Sequence, residues 1–237
     1  MPSIYVNQSQ DRIALAKKLN WLRAAVLGAN DGIVSTAGIV MGVAGATTES
    51  APILIAGIAA MVAGSISMAG GEYASVSAQR DSEKAAAERE RKLLLENPAA
   101  ELSVLAQYYE AKGLSNQLAE KVAAELSEKD AITAHLDAEL GNRQSEFSSP
   151  LAAAIASFFA FGLGSILPIV AISGPWLEFR ETATVASVVI ALAITGYFAA
   201  IIGKSNPLKA VARNVLVSLL TMGLAYLVGT LLGVAVA

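Results

Sequence analysis

An aspartate sits inside the first apolar run of this chain. Asp31 falls in Leu27-Gly28-Ala29-Asn30-Asp31-Gly32-Ile33-Val34-Ser35, eight residues past Arg23. At 1.5 Å per helical residue that is about 12 Å beyond the last positive charge. A carboxylate at such depth costs roughly 2.5 to 3.5 kcal/mol on insertion scales and is tolerated mainly where it faces a cavity, a partner or an ion. The second apolar run supplies Met61, Ser65, Ser67, Met68 and Glu72, and Met68 and Glu72, one turn apart, share a helical face. Thioether and carboxylate then look into one space. Carboxylate oxygens with a soft sulfur suit a first-row divalent metal such as Fe²⁺ or Mn²⁺ better than Ca²⁺, which prefers oxygen throughout.

A second set of donors lies in the one hydrophilic stretch, 79–149. Glu83 and Glu90 are seven residues apart on one helical face, Glu101 opens a second helix, and His135 and Glu139 are four apart on a third. Three helices can bring these groups to one point and add an imidazole to the carboxylates. Glu88, Glu96, Glu110, Glu120, Glu125 and Glu128 read as solvated background. The chain has no cysteine and one histidine. That excludes disulfides, cysteine-type zinc sites, iron–sulfur clusters and thiol catalysis. A catalytic triad or a multi-histidine zinc site would have to be built around His135 alone or between subunits. No nucleophile and base stand at usable spacing, so an enzyme is not expected.

The elements that must position these groups follow from composition. Of 237 residues 54% are hydrophobic and 16% charged, with a mean hydropathy of +0.54, far from an ordinary soluble domain. Nearly uncharged stretches run over 24–48, 51–78, 150–175, 183–203 and 214–237. Each is long enough for the roughly 20 helical residues that cross a 30 Å hydrocarbon core. The first begins too late, after Asp11, Arg12, Lys17 and Lys18, to be a cleaved secretory signal. Of the 17 Lys and Arg only Arg180 falls on the far side of a five-span arrangement. The positive-inside rule therefore puts the amino terminus and the insert in the cytoplasm and the carboxyl terminus opposite. With no organelle address in view, a bacterial plasma membrane is expected. The net charge of −3 gives no reason to expect nucleic acid as a partner.

The expected fold class is an all-α membrane protein, five transmembrane helices with a cytoplasmic three-helix metal-binding insert between helices 2 and 3. Its parts are an amphipathic amino-terminal segment (1–23), helices 1 and 2 (24–78), the acidic insert (79–149) and helices 3 to 5 (150–237). The insert carries 14 acidic and 9 basic residues. Its first part, 79–96, continues the second span without a break. Asn97-Pro98 stops that helix and supplies cap and first position for the next. Gly113 ends the second helix, and Ser115 opens a third that runs to Leu140-Gly141 with Leu118, Val122, Leu126 and Ile132 at helical spacing.

Two long segments resemble the vacuolar iron transporter family. They are Ala29-Asn30-Asp31-Gly32-Ile33-Val34-Ser35-Thr36, and Ser67-Met68-Ala69-Gly70-Gly71-Glu72-Tyr73-Ala74-Ser75-Val76-Ser77 running into Gln79-Arg80-Asp81. The similarity covers most of the chain. It implies a homodimer of five-span subunits with a cytoplasmic metal-binding domain between spans two and three. Asp31 and Met68 then match ligands of the translocation path and Glu72 a carboxylate of the same pore. The implied activity is export of Fe²⁺, and in many members Mn²⁺, in exchange for protons, with no prosthetic group. Glu90, Glu101 and Glu139 fall where family members have metal-binding glutamates, and His135 where some carry methionine. Three residues beyond Glu90 and Glu101 stand Leu93 and Val104, so the family's paired glutamates are incomplete here. Two other readings are a membrane-anchored metal store or sensor that binds without flux, and a proton-coupled exporter of an organic solute that uses Asp31 as proton carrier only.

Overall fold

A computed structural model describes the backbone of residues 3–140 and 149–236 and the side chains of 25–138 and 149–235. Among the described residues the regular structure is helical throughout: α1 (Ser3–Ala46), α2 (Ser50–Glu96), α3 (Pro98–Ala111), α4 (Asn116–Leu140), α5 (Pro150–Ser173), a short 3-10 turn (Leu177–Phe179), α6 (Arg180–Ile202) and α7 (Pro207–Val236). Five segments are long and apolar enough to cross a membrane: Ala25–Ala46 of α1, the apolar part of α2, α5, Leu177–Ile202 and Pro207–Ala235. The expected all-α, five-span fold class is thereby met. The last two helices begin earlier than the charge-free stretches do, because Arg180, Glu181, Lys209 and Arg213 sit in their first two turns. Pro207 suits the first helical position, and Asn206 Oδ1 accepts the Lys209 N–H at 3.2 Å.

The chain divides into two compact units, Met1–Lys17 with Ser75–Ser149, and Lys18–Ala74 with Pro150–Ala237. In the second, membrane unit, α1 is interlocked with α5 and α7 through small residues that bring backbones into contact. A Cβ on Gly32 would lie 2.2 Å from the Phe161 carbonyl oxygen, and one on Gly229 1.8 Å from that of Gly42. Neither position can carry a side chain without parting the helices. Between these seams Ile33, Ala37, Val40 and Met41 of α1 pack with Ile53, Ile172, Val188, Leu192 and Met222.

Several polar side chains within this apolar interior are paired with one another or with the backbone. The Thr36 hydroxyl donates to Ser165 Oγ at 2.9 Å, and Ser165 Oγ donates to the Phe161 carbonyl at 2.9 Å. Thr195 Oγ1 donates to Asn30 Oδ1 at 2.6 Å, which fixes α1 against α6 one residue before Asp31. Arg180, 4% exposed, donates to the Thr48 carbonyl at 2.9 Å and to Ser50 Oγ at 3.4 Å. It pins the α1–α2 turn to the start of α6.

In the other unit Asn97 caps α3, its Oδ1 accepting the Ala100 N–H at 3.2 Å, and the chain leaves α3 through Gly113 at φ +102°, a conformation suited to glycine. α3 packs on α4 around Leu105, Ala106, Ala123 and Ala134. The third helix of the insert departs from expectation. It is broken at Asp130 (φ −164°, ψ 91°), whose Oδ1 accepts the Thr133 N–H at 3.1 Å and whose Oδ2 accepts the Thr133 hydroxyl at 2.8 Å. Asp130 thus caps a separate segment that carries His135, and the insert has four helical segments instead of three.

The Thr133 N–H, followed by the Thr133 hydroxyl, favours the charged carboxylate and holds Asp130 below its ordinary range. A depressed folded-state value means the cap stabilises above the unfolded value, near pH 4, and is lost as pH falls through the folded one. Asp130→Ala is therefore expected to accelerate amide exchange across 131–138 at pH 7. Asp130→Asn, which keeps an acceptor at the cap, should retain most of the protection and remove its decline in acid. Equal exchange in all three proteins would contradict the capping role.

Candidate functional site

In the membrane unit α1, α2 and Phe161 of α5 line a cleft of about 530 Å³ whose polar and soft groups are Asp31, Ser35, Ser67, Met68 and Glu72, with Thr36 also in the wall but its hydroxyl given to Ser165 Oγ. The three donors singled out in the first two spans are brought to one space. Asp31 is exposed in the single chain, whereas Met68 and Glu72 are partly buried. Asp31 is not sealed among apolar neighbours, and it is not used as structural glue between helices. Among the described residues its side-chain hydrogen bond is local: the Ser35 hydroxyl, a turn further along α1, donates to Asp31 Oδ1 at 2.7 Å. Two carboxylates, a thioether and two hydroxyls around one cavity form a donor set for a divalent cation of intermediate softness.

The insert holds a second set. His135 Nδ1 lies 2.9 Å from Glu90 Oε1 and 3.9 Å from Glu101 Oε2, and one donor atom from each of the three lies within 4.8 Å of the others. Glu90 is 2% and His135 3% exposed. An imidazole nitrogen and a carboxylate oxygen this close, out of water, need a positive centre between them, either a proton or a metal ion. Bonds of about 2.0 to 2.2 Å from one ion to its nitrogen and oxygen ligands span edges near 3 Å at right angles. A small divalent cation therefore fits the set with a shift of side chains only. His135 Nε2 is buried without a hydrogen-bond partner.

Glu83 does not join this group; it accepts from Gln79 Nε2 at 3.0 Å on its own helix. The Glu139 side chain lies outside the described residues. Leu93 and Val104, at the positions of the missing paired glutamates, are exposed. Two contributors went unread in the sequence. Ser35 could have been found from its i, i+4 spacing to Asp31, and Asp130 from an Asp-x-x-Thr cap pattern hidden inside an otherwise helical period.

These features define the class of protein, an all-helical integral membrane protein of five spans that carries cation donors both within its span bundle and in its hydrophilic insert. Comparison with known proteins places it further: the VIT family matches residues 22–230, and the chain belongs to that family. It is 39% identical over 218 residues to "Vacuolar iron transporter" of Acanthamoeba castellanii, covering 89% of this chain and 80% of that protein. It is 34% identical over 218 residues to "Vacuolar iron transporter homolog 5" of Oryza sativa subsp. japonica, with coverages of 91% and 82%. To "Vacuolar iron transporter homolog 1" of Arabidopsis thaliana it is 34% identical over 220 residues, with coverages of 91% and 86%. The family is one of transporters, in keeping with the expectation that this is not an enzyme.

Proposed function

We propose that the protein is a homodimeric antiporter that carries Fe²⁺ and Mn²⁺ out of the cytoplasm in exchange for protons. The observation that carries this reading is the meeting of Asp31, Met68 and Glu72 in one cleft of the membrane unit. The printed names of the relatives support iron as cargo. Asp31 offsets part of the ion's dehydration cost, Met68 favours softer ions over Ca²⁺ and Mg²⁺, and Glu72 adds charge toward the cytoplasmic end of the span. Protonating Asp31 or Glu72 from the far side weakens the site and releases the metal, which couples the two fluxes through a shared carboxylate.

An exposed carboxylate at membrane depth is too costly to leave against lipid. Covering that face with a second copy supports the dimer, with the ion path between the first and second spans of the two subunits. Glu90, Glu101 and His135 load metal from the cytoplasm. The orientation rests on the placement of all Lys and Arg but Arg180 on one side. A bacterial plasma membrane finds no support among the relatives, whose names speak of vacuoles.

The test is metal flux into liposomes across an imposed pH gradient, run separately with Fe²⁺, Mn²⁺, Zn²⁺ and Ca²⁺. Fe²⁺ and Mn²⁺ are expected to move toward the acidic side, against the flow of protons, and Ca²⁺ not to move. Metal binding without flux would identify a store or sensor instead, and proton flux indifferent to metal an organic-solute exporter.

A further inference from the structure

We propose that Ser35 is a direct oxygen ligand of the transported ion and the step that follows Asp31 along α1. The inference rests on the cleft being the ion path. Ser35 donates to Asp31 Oδ1 at 2.7 Å. Two oxygens bound at right angles to one small ion by bonds of about 2.0 to 2.2 Å stand about 2.8 to 3.1 Å apart. The serine and aspartate oxygens are thus already within a few tenths of an ångström of one edge of a small-cation site. A hydroxyl is both donor and acceptor. Its proton occupies a carboxylate lone pair of Asp31, and when a cation arrives a rotation about its C–O bond turns its own lone pair to the ion.

Position supports the same role. Ser35 and Ile39 line both the Asp31 cleft and a neighbouring groove of about 640 Å³ between α1 and α7. Further along α1 that groove is lined by Gly38, Ile39, Gly42, Val43 and Ala46. Thr36, which also lines the cleft, donates its hydroxyl to Ser165 Oγ, and Ser35 is the one polar side chain of α1 that lines both the cleft and the groove.

The chain has no cysteine, so Ser35→Cys creates a single thiol with no other substitution needed. The reduced protein, in lipid nanodiscs, is labelled with a charged methanethiosulfonate reagent with and without Mn²⁺. Mn²⁺ is expected to slow labelling of Ser35→Cys by about fivefold or more, to slow that of Ile39→Cys less than twofold, and to lose its effect when Asp31→Ala is added. Alongside, Ser35→Ala should raise the Mn²⁺ KM about tenfold, as loss of a supporting metal contact does, while Ser35→Thr stays within about twofold. Labelling that ignores Mn²⁺, no labelling at position 35 in the metal-free protein, or equal protection at position 39 would each overturn the ligand role. If Asp31→Ala abolishes flux and Ser35→Cys is unprotected, only Ser35 is displaced; if Asp31→Ala leaves flux intact, the cleft itself is not the path.

Discussion

Asp31→Ala is expected to abolish metal flux in reconstituted vesicles while leaving the protein folded and its assembly unchanged. The size of the effect follows from charge. A divalent ion 4 Å from a carboxylate gains about 8 kcal/mol at an effective dielectric of 20. Losing even 3 kcal/mol of that lowers occupancy of the path more than a hundredfold. Stability should hold, because among the described residues the side-chain hydrogen-bond partner of Asp31 is Ser35 on its own helix, and the seams that hold α1 involve Gly32, Gly42 and their neighbours. Asp31→Asn, which keeps shape and removes charge, should be nearly as damaging. Flux within threefold of the unaltered protein for either variant would contradict the assignment.

His135→Ala should remove metal binding at the cluster of Glu90, Glu101 and His135 proposed to load the path. Three buried or nearly buried donors converge there, and deleting one of three leaves a pair of carboxylates with no nitrogen ligand. An affinity loss of a hundredfold or more is expected, larger than the tenfold to hundredfold typical of residues that only support a ligand. Isothermal titration of the full protein with Mn²⁺ measures it, and a Co²⁺ absorption spectrum reports whether the nitrogen ligand has gone. Flux at saturating metal should persist, since Asp31, Met68 and Glu72 are untouched. Unchanged affinity and an unchanged Co²⁺ spectrum would remove His135 from the site.

What could be read in advance, and what could not, divides along physical lines. The five spans were plain, since a bilayer demands some 20 apolar residues in a row and few other uses of sequence produce that. Asn97-Pro98 and Gly113 ended helices where backbone chemistry says they must. Asp31 stood out because membrane depth makes one acid expensive. The break at Asp130 was hidden because Leu118, Val122, Leu126 and Ile132 keep a helical period across it: periodicity reports which face is buried and says little about whether the axis is continuous. Arg180 read only as a charge on the far side. Its burial against Thr48 and Ser50 depends on a tertiary contact with a turn some 130 residues away, for which no local pattern exists. Glu83 and Glu90 shared a face on paper, yet only Glu90 meets His135, since spacing gives direction along a helix and leaves open what lies opposite.

The small-residue seams have a mechanical consequence. Backbone against backbone, α1 is keyed into α5 on one flank and α7 on the other, so the wall bearing Asp31 behaves as a fixed jaw. The facing wall is held differently. α2 is anchored near its start by Ile53 and Ser65, both nearly inaccessible, but at Gly70 and Gly71 an added methyl would touch nothing within 4 Å. The two walls of the cleft are therefore held unequally: α1, with Asp31, is clamped on both flanks, whereas α2 beside Met68 and Glu72 has open space at Gly70 and Gly71.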